Sequence, residues 1–526
     1  MSGGTCEVCG NAANQRCAKC HQTNYCSKDH QRQHWKVHRL QCSPYRVCQN
    51  EVLGRYLEAS RDIQPGEVIM KDTPLVLGPR QVTVAVCLGC FSPVTGSYTC
   101  TQCGWPMCGA QCQKSPLHIP ECQLSRERGS KIQVSKFGEE NQMYECITPL
   151  RCLWLRDRDC NQWATLMQME SHLEQRRGTE IHDLNQVNVV DFIQRYLNVH
   201  SFTDEEVQNV CGIIDVNGFE IPAQATALIG LYGKACLLEH NCIPNTTRTF
   251  DAQLNIVIRA AVMITKGSHI ATSYTDPMWG TADRQMHLRT TKYFGCECER
   301  CKDPTELGTH LSSLRCGQCS GGAVLPSPSP LHPHLWCCVS CQATLPLHQV
   351  NAYLKQTGEK LVTLKDNPIA ASESYLKSTS TRLHENHYYR SDVKLALAQM
   401  YGHRGGDGRQ QQNLLCDLSK DTLERKERLC REVLALADVL CPGESRLRAL
   451  LLYELQSVWR EQQRRLPRKL RNSPKSKTLL QECEGALKVA SKVLQREAPL
   501  QDEYQLGLQA ETELHELSSL ITKLFR

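Results

Sequence analysis

Three short stretches in the middle of the chain decide the fold: LLEHNCIPN at residues 237–245, IATSY at residues 270–274, and YFGCECERC at residues 293–301. The last stretch holds three thiols in the spacing Cys-x-Cys-x-x-Cys, and the first holds a fourth. Three clustered thiols and a distant fourth predict a tetrahedral zinc site. Such a site would tie the end of this region back to the loop that carries His240. Taken by itself, the Cys-x-Cys-x-x-Cys motif is also typical of any small structural zinc knuckle.

The order of these stretches resembles the core and post-SET segments of SET-domain lysine methyltransferases. That family's signature is Asn-His-Ser-Cys-x-Pro-Asn, then a tyrosine, then Cys-x-Cys-x-x-Cys. The resemblance implies that Tyr274 is the catalytic-position tyrosine, that His240 contacts S-adenosylmethionine, and that Phe294 stacks on the adenine of this cofactor. A core role for Tyr274 and a packing role for His240 are the alternatives. The zinc ligands implied for the post-SET site are Cys242, Cys296, Cys298 and Cys301.

The composition sets the broad class of the protein. A length of 526 residues predicts roughly three or four domains, and a hydrophobic content of 40% is enough for packed cores. The net charge of +6 is mild and does not argue for nucleic acid as a partner. No secretory signal and no run of apolar residues long enough to span a membrane is found, so the 32 cysteines are expected in a reducing compartment as metal ligands.

Residues 1–42 carry four pairs of ligands, enough for two zinc ions. They resemble a MYND zinc finger, with His30 where the family usually has cysteine; imidazole also binds zinc well. The resemblance implies interleaved pairs and a role in binding proteins, often through proline-rich segments. Zinc-stapled folding without a binding role is the alternative. One implied set is Cys6, Cys9, Cys26 and His30, and the other is Cys17, Cys20, His38 and Cys42.

Residues 43–86 contain short β-rich runs separated by Pro-Gly turns, which predicts strands. They resemble the first strands of a SET domain, where a Gly-x-Gly lets the backbone approach S-adenosylmethionine. The matching residues are Gly54, Arg55 and Tyr56, so a bulky ring replaces the second glycine and narrows the implied pocket. Taken alone, Gly54 is also typical of a turn.

Residues 87–122 repeat the first ligand pattern and resemble a second MYND finger. Their place is diagnostic, because the SMYD family of SET proteins inserts a MYND finger between the first SET strands and the rest of the domain. The chain is therefore identified as an arthropod-type, SmydA-like member of that family with an additional finger in front. One implied set is Cys87, Cys90, Cys108 and Cys112, and the other is Cys100, Cys103, His118 and Cys122.

Residues 123–216 have helical spacing and match the helical insertion of SMYD proteins, with a solvated charged face and no chemistry. Residues 217–276 follow as the core SET segment and residues 277–303 as the post-SET segment. The start, NGFEI, resembles a strand whose asparagine lies near the cofactor, which makes Asn217 a cofactor candidate; an Asn-Gly turn is the alternative.

Two further departures from the SET pattern lie near the implied site. Glu239 stands where the family has an asparagine, so a carboxylate replaces an amide donor. Lys292 stands where a second channel tyrosine is expected, and its cationic amine disfavours an incoming lysine by like-charge repulsion. Together with Tyr56 they weaken the case for turnover and leave the zinc ligands intact.

Residues 304–345 predict a zinc ribbon, and residues 346–526 predict amphipathic helix pairs similar to the tetratricopeptide-like domain of SMYD proteins. Cys337 is an alternative to the fourth ribbon ligand. The predicted ribbon ligands are Cys316, Cys319, Cys338 and Cys341.

The sequence therefore predicts an α+β multidomain protein: a β-rich SET fold with an N-terminal and an inserted MYND finger, a post-SET zinc site, a zinc ribbon and an all-α C-terminal domain. The implied function is S-adenosylmethionine-dependent protein-lysine methylation in transcriptional regulation, with protein substrates and proline-rich partners. The alternative is a weak or inactive SET scaffold that recruits partners as a corepressor. A monomer in the nucleus and cytoplasm, without a membrane or direct nucleic-acid contact, is expected.

Overall fold

The computed structural model describes residues 4–17, 23–223, 227–319, 321–327, 334–362, 364, 368–402, 415–499 and 501–525. The predicted ligand Cys20 lies outside these residues. The N-terminal finger consists of two small antiparallel pairs, β1 with β2 and β3 with β4, followed by one helix. Ser27 caps this helix, since its hydroxyl accepts from the His30 N–H at 3.2 Å. The elements are β1 (Gly4–Thr5), β2 (Ala12–Ala13), β3 (Gln15–Arg16), β4 (Asn24–Tyr25) and α1 (Lys28–Cys42).

The next elements alternate between strands and an inserted helical part. Four strands come first: β5 (Tyr45–Asn50), β6 (Gly54–Ala59), β7 (Val68–Asp72) and β8 (Pro74–Pro79). The second finger contributes α2 (Ala110–Gln113) and α3 (Ile119–Ser125). The insertion contributes α4 (Ile147–Arg158), α5 (Cys160–Leu166), α6 (Leu173–Arg176), α7 (Glu180–Asn185) with two π-helical turns after it, and α8 (Asp204–Asn217).

Helix α8 has strong local signals at its start. Thr203 and Glu206 form a capping box, and three acidic residues occupy the first turn. The helix ends at Asn217, directly before the next strand. The core strands that follow are β9 (Phe219–Ile221), β10 (Leu228–Tyr232), β11 (Glu239–His240), β12 (Thr246–Phe250), β13 (Ile256–Ala260) and β14 (Ala271–Thr272).

The small sheets of the SET core join strands from both sides of the inserted finger. Strand β8 pairs with β10, which pairs with β9, and β7 pairs with β13, which pairs with β12. Strand β11 lies parallel to β14, so Glu239 faces Ala271 and His240 faces Thr272. The pairing of early with late strands makes residues 80–217 an insertion that leaves and re-enters one β-rich domain.

The C-terminal part begins with α9 (Thr281–Thr291) and α10 (Glu299–Lys302). A four-stranded antiparallel sheet follows, in the order β15 (Leu314–Arg315), β16 (Ala323–Pro326), β17 (Leu335–Cys338) and β18 (Thr344–Pro346). The first of the remaining helices packs against strand β18, and each later helix packs against its sequence neighbours around an apolar core. They are α11 (Leu347–Val362), α12 (Pro368–Thr379), α13 (Tyr388–Met400), α14 (Lys420–Leu440), α15 (Arg446–Arg465), α16 (Pro474–Leu494) and α17 (Asp502–Phe525).

The predicted fold class, an α+β multidomain protein, is confirmed. None of the helices that the structure describes combines the length and the apolarity that a bilayer-spanning segment needs. The basic run at residues 464–471 is partly engaged: Arg464 and Arg465 pair with Glu461 of their own helix, and Arg471 donates to backbone carbonyls.

Candidate zinc sites and cofactor pocket

The structure brings five of the six predicted ligand sets together, each with its ligand atoms within 4.8 Å of one another. Thiolate and imidazole ligands in tetrads are the chemistry of structural zinc. Among the two pairs of the ribbon, Cys338 rather than the alternative Cys337 belongs to the cluster. The five clusters are Cys6, Cys9, Cys26, His30; Cys87, Cys90, Cys108, Cys112; Cys100, Cys103, His118, Cys122; Cys242, Cys296, Cys298, Cys301; and Cys316, Cys319, Cys338, Cys341.

The sixth set is described only in part, because Cys20 lies outside the described residues. The Sγ atoms of Cys17 and Cys42 are 3.7 Å apart. The Nδ1 atom of His38 lies 3.1 Å from the hydroxyl of Thr23. The hydroxyl of Thr23 thus helps to fix the orientation of the His38 ring.

A buried charge network supports the second set of the inserted finger. The His118 Nδ1–H donates to Glu121 at 2.9 Å, which leaves Nε2 toward the thiols, 3.5 Å from Cys103 Sγ. Arg151 of α4 donates to both oxygens of Glu121, at 2.9 and 2.8 Å, and to the Leu77 carbonyl. Burial alone would raise the pKa of Glu121, but Arg151 and His118 outweigh it and lower it. The network couples this finger to the SET sheet through strand β8.

The post-SET cluster lies directly beneath His240. The His240 Nδ1 accepts from the Tyr274 N–H at 3.0 Å, so Nε2 carries the proton and points at Cys242 Sγ, 3.3 Å away. Burial lowers the pKa of His240 to about 4, which keeps the ring neutral. Because one imidazole contacts both the thiol cluster and the backbone of Tyr274, the position of the tyrosine depends on the cluster.

Two buried arginines share one buried carboxylate beside this cluster. Arg284 donates to Glu306 at 2.8 Å and to Cys242 Sγ at 3.3 Å. Arg300 donates to the same carboxylate at 2.7 Å. Four thiolates around Zn²⁺ carry two net negative charges, and Arg284 offsets part of this charge. The positions of Arg284, Arg300 and Glu306 along the chain follow no motif, so the sequence did not predict this network.

Three predicted site residues form one aromatic group. The ring of His240 lies 5.2 Å from that of Tyr274 and 6.0 Å from that of Phe294, measured between centroids. The Tyr274 hydroxyl donates to the Leu238 carbonyl at 2.5 Å. Burial raises the pKa of Tyr274, so the hydroxyl is neutral at ordinary pH. Phe294 is 37% exposed, so it is accessible at the edge of this group.

Two other predicted residues, Arg55 and Asn217, converge on the loop between α5 and α6. Arg55 donates to the Gln168 carbonyl at 2.6 Å and to its side-chain oxygen at 3.1 Å. The Asn217 side-chain amide donates to the Glu170 carbonyl at 2.7 Å and to the Ile213 carbonyl at 2.9 Å. The NH2 group of the Asn217 side chain therefore connects the last turn of α8 to this loop. The side-chain oxygen of Asn217 is the atom that could contact a ligand.

The loop at residues 168–172 was missed by the sequence reasoning, which expected no chemistry in the insertion. Its His172 ring lies 4.9 Å from the ring of Tyr293, next to the post-SET segment. The only signal is a polar break, Glu170-Ser171-His172, in an otherwise helical pattern. Spacing along one chain does not reveal that this break meets Arg55 and Asn217 in space.

The remaining candidates form a second contact group. Glu239 accepts from His269 Nδ1 at 2.9 and 3.0 Å, and the His269 ring stacks on the Tyr56 ring at 4.5 Å. Two residues that depart from the SET pattern are thus joined through a third. Gly54 has φ of +64° at the turn between β5 and β6, a left-handed conformation that favours glycine.

Lys292 follows the end of α9. Its Nζ donates to the carbonyls of Val216 at 2.6 Å and Asp215 at 3.1 Å, and lies 5.8 Å from the centroid of the Tyr274 ring. Burial lowers the pKa of Lys292 to about 8. The amine thus lies between the end of α8 and the predicted catalytic tyrosine.

A β-rich core interrupted by a zinc finger and closed by a four-thiol cluster defines a SET- and MYND-domain protein. The family model of the MYND finger matches residues 6–42. The SET domain-containing protein SmydA-8, isoform A, of Drosophila melanogaster is 30% identical over 318 residues, which are 58% of this chain and 67% of that protein. The chain belongs to the SMYD family, as a SmydA-like member.

Other relatives are named as enzymes. N-lysine methyltransferase SMYD2-B of Danio rerio is 29% identical over 264 residues, 47% of this chain and 58% of that protein. Histone-lysine N-methyltransferase ASHR1 of Arabidopsis thaliana is 26% identical over 293 residues, 51% of this chain and 58% of that protein. The crystal structure of the SET domain of LSMT bound to lysine and AdoHcy is 11% identical, with coverage of 91% of this chain and 87% of that chain and a TM-score of 0.24.

Proposed function

We propose that this protein transfers a methyl group from S-adenosylmethionine to lysine side chains of other proteins. The observation that carries the proposal is the aromatic group of His240, Tyr274 and Phe294 held above the four-thiol cluster. The names of the SMYD2 and ASHR1 relatives as lysine methyltransferases support the same reaction class. Histone and non-histone substrates, a role in transcription, and residence in the nucleus and cytoplasm belong to this proposal.

The residues fit the cofactor. An accessible aromatic face at Phe294 suits adenine, and the Glu239 carboxylate suits a cationic group. When bound, S-adenosylmethionine supplies a methyl group on a positively charged sulfur. Arg55 and Asn217 would approach the cofactor from the loop at residues 168–172, on which both converge. Zinc in the post-SET cluster would hold His240 and Tyr274 in place.

The reaction needs little acid–base machinery from the protein. The neutral amine of an acceptor lysine would take the methyl group, the uncharged thioether S-adenosylhomocysteine would leave, and the amine proton would pass to solvent. Tyr274 is a neutral hydroxyl fixed by the Leu238 carbonyl, so it orients reacting groups rather than removing a proton. The catalytic contribution is therefore the positioning of the reacting groups.

Replacing Tyr274 by phenylalanine tests the proposal. We expect transfer of labelled methyl to histones or to lysate proteins to fall by about a hundredfold, as for loss of one positioned hydroxyl donor. The ring is retained, so the zinc content should match that of the native protein, and the free energy of unfolding should fall only by about 1–3 kcal/mol for the lost hydrogen bond to Leu238. Tyr353→Phe, on α11, is the matched control and should leave transfer unchanged. Equal signals from native protein and Tyr274→Phe would contradict the proposed role.

A second candidate function is a SET scaffold that recruits partners through its MYND fingers, such as proline-rich peptides. It is favoured by Lys292, whose amine already contacts Val216, Asp215 and Tyr274. Replacing Cys6 and Cys9 by serine would remove one zinc set of the first finger. If the protein is a scaffold, we expect this variant to lose the partners that the native protein binds in a pull-down. Unchanged partners after removal of both fingers would rule it out.

A further inference from the structure

Lys292 places a primary amine where the end of one helix meets the predicted catalytic tyrosine. Two carbonyl oxygens, of Asp215 and Val216, accept from its Nζ at 3.1 and 2.6 Å. The Tyr274 ring centroid lies 5.8 Å from the same atom. Carbonyl oxygens and an aromatic face are the groups that bind an alkylammonium ion. The chain thus contains an amine-binding site that its own lysine fills.

The site is built independently of the lysine that fills it. Helix α8 ends at Asn217, so the carbonyls of Asp215 and Val216 belong to the last turn, where carbonyls lack partners within the helix. The partial negative charge of a helix C-terminus adds to their attraction for a cation. The Asp215 carboxylate pairs with Arg176 at 2.6 Å, and the hydrogen bond from Lys292 goes to the backbone oxygen of Asp215.

The backbone of Lys292 is fixed as well. Its N–H donates to the Leu288 carbonyl at 2.9 Å, at the end of α9. The side chain therefore spans from the end of α9 to the end of α8, with its amine beside Tyr274. Burial lowers the pKa of Lys292 to about 8. The negative charge of Asp215 acts in the opposite direction, and the positive charge of Arg248 lowers the pKa further. Part of the amine is neutral near pH 8, as the amine of an acceptor lysine must be.

We propose that Lys292 is an internal occupant of the acceptor-amine position, holding in cis the place that a lysine side chain of another protein would take. The inference rests on the proposed function for the identity of the external ligand. An external lysine must displace this amine, because the Lys292 ammonium group already donates to both carbonyl oxygens. A second ammonium group at the same place would be repelled by the first. The protein then accepts a substrate lysine only when the Lys292 side chain moves.

Lys292→Ala should open the site. The probes are Nα-acetyl-lysine amide and its norleucine analogue, which has the same stem without the amine. By titration calorimetry we expect Lys292→Ala to bind the lysine probe about tenfold more tightly than the norleucine probe, the value of hydrogen bonds to a charged group. The native protein should show no such preference. Lys292→Met is the matched control, since its stem still fills the space, and it should behave as the native protein does.

A measurement on the native protein keeps the inference testable if Lys292→Ala does not fold. Amidination of lysines, followed by peptide mass spectrometry, should modify Lys292 about tenfold more slowly than Lys302, since reaction requires opening of the site. Lys302 is a suitable reference because its side chain is 65% exposed. Equal rates at the two lysines, or equal binding of the two probes by Lys292→Ala, would overturn the inference.

The outcomes separate this inference from the proposed function. Preferential binding of the lysine probe by Lys292→Ala without any methyl transfer from S-adenosylmethionine supports the amine site and counts against the enzyme. Methyl transfer by the native protein that Lys292→Ala leaves unchanged supports the enzyme and overturns the internal occupant.

Discussion

Replacing Glu306 by glutamine is expected to lower the free energy of unfolding by about 3–5 kcal/mol, because it leaves two buried guanidinium groups without their shared countercharge. Both Arg284 and Arg300 bond to one oxygen of Glu306, at 2.8 and 2.7 Å, and all three side chains are buried. Urea titration of zinc-replete protein measures the change. The loss should be seen in the transition that accompanies release of zinc from the post-SET cluster.

The matched control is Glu297→Gln in the same segment. Glu297 pairs with Lys302 at 3.3 Å, but the two side chains are 84% and 65% exposed. An exposed pair contributes at most about 1 kcal/mol, so this variant should melt like the native protein. Similar losses from both substitutions would show that the buried network does not hold this part of the fold.

The same carboxylate predicts the response to acid. Burial would raise the pKa of Glu306, but the guanidinium groups of Arg300 and Arg284 outweigh it, and the pKa lies below its ordinary value. The stability from this pair is therefore present above the ordinary pKa of a glutamate and is lost as the pH falls through the lowered one. Native protein should lose stability on acidification below about pH 4, and Glu306→Gln should lack this contribution.

Replacing Cys242 by serine is the second large effect we expect. Cys242 is fully buried, and its Sγ lies 3.5 Å from Cys301 Sγ and 3.3 Å from both Arg284 Nε and His240 Nε2. Loss of one thiolate should remove the post-SET zinc, and binding free energy at such sites is folding free energy. The protein should contain one zinc equivalent less, by metal analysis, and its melting transition should broaden or shift strongly.

The control for this substitution is Cys160→Ser, at an exposed thiol outside every predicted ligand set. It should keep the zinc content and the melting transition of the native protein. A Cys242→Ser protein that retains all of its zinc would contradict the assignment of this cluster.

Cysteine and histidine spacing predicted the clusters because a tetrahedral zinc site imposes close ligand pairs along the chain. The Cys-x-x-Cys pairs and the inserted position of the second finger were enough to predict the fold class. Tyr274, His240 and Phe294 could be named because the motifs that contain them resemble those of the SET family.

The supporting residues could not be predicted, because nothing in their spacing marks them. Glu306 lies close to its two arginines only through the fold, and Glu121 meets Arg151 across 30 residues. The contact of Glu239 with Tyr56 through His269 links strands β11 and β6 to the loop before β14. Such contacts join residues that are far apart in the sequence, and the hydrophobic periodicity of the sequence does not predict them.

The most direct test of the account is calorimetric titration of the purified, zinc-replete protein with S-adenosylmethionine. We expect one site of micromolar affinity, which Phe294→Ala weakens because the accessible aromatic face is lost. Native zinc content and a cooperative melt in both proteins would exclude misfolding as the cause. An intact, zinc-replete protein that does not bind S-adenosylmethionine would contradict the proposed methyltransferase and favour the scaffold.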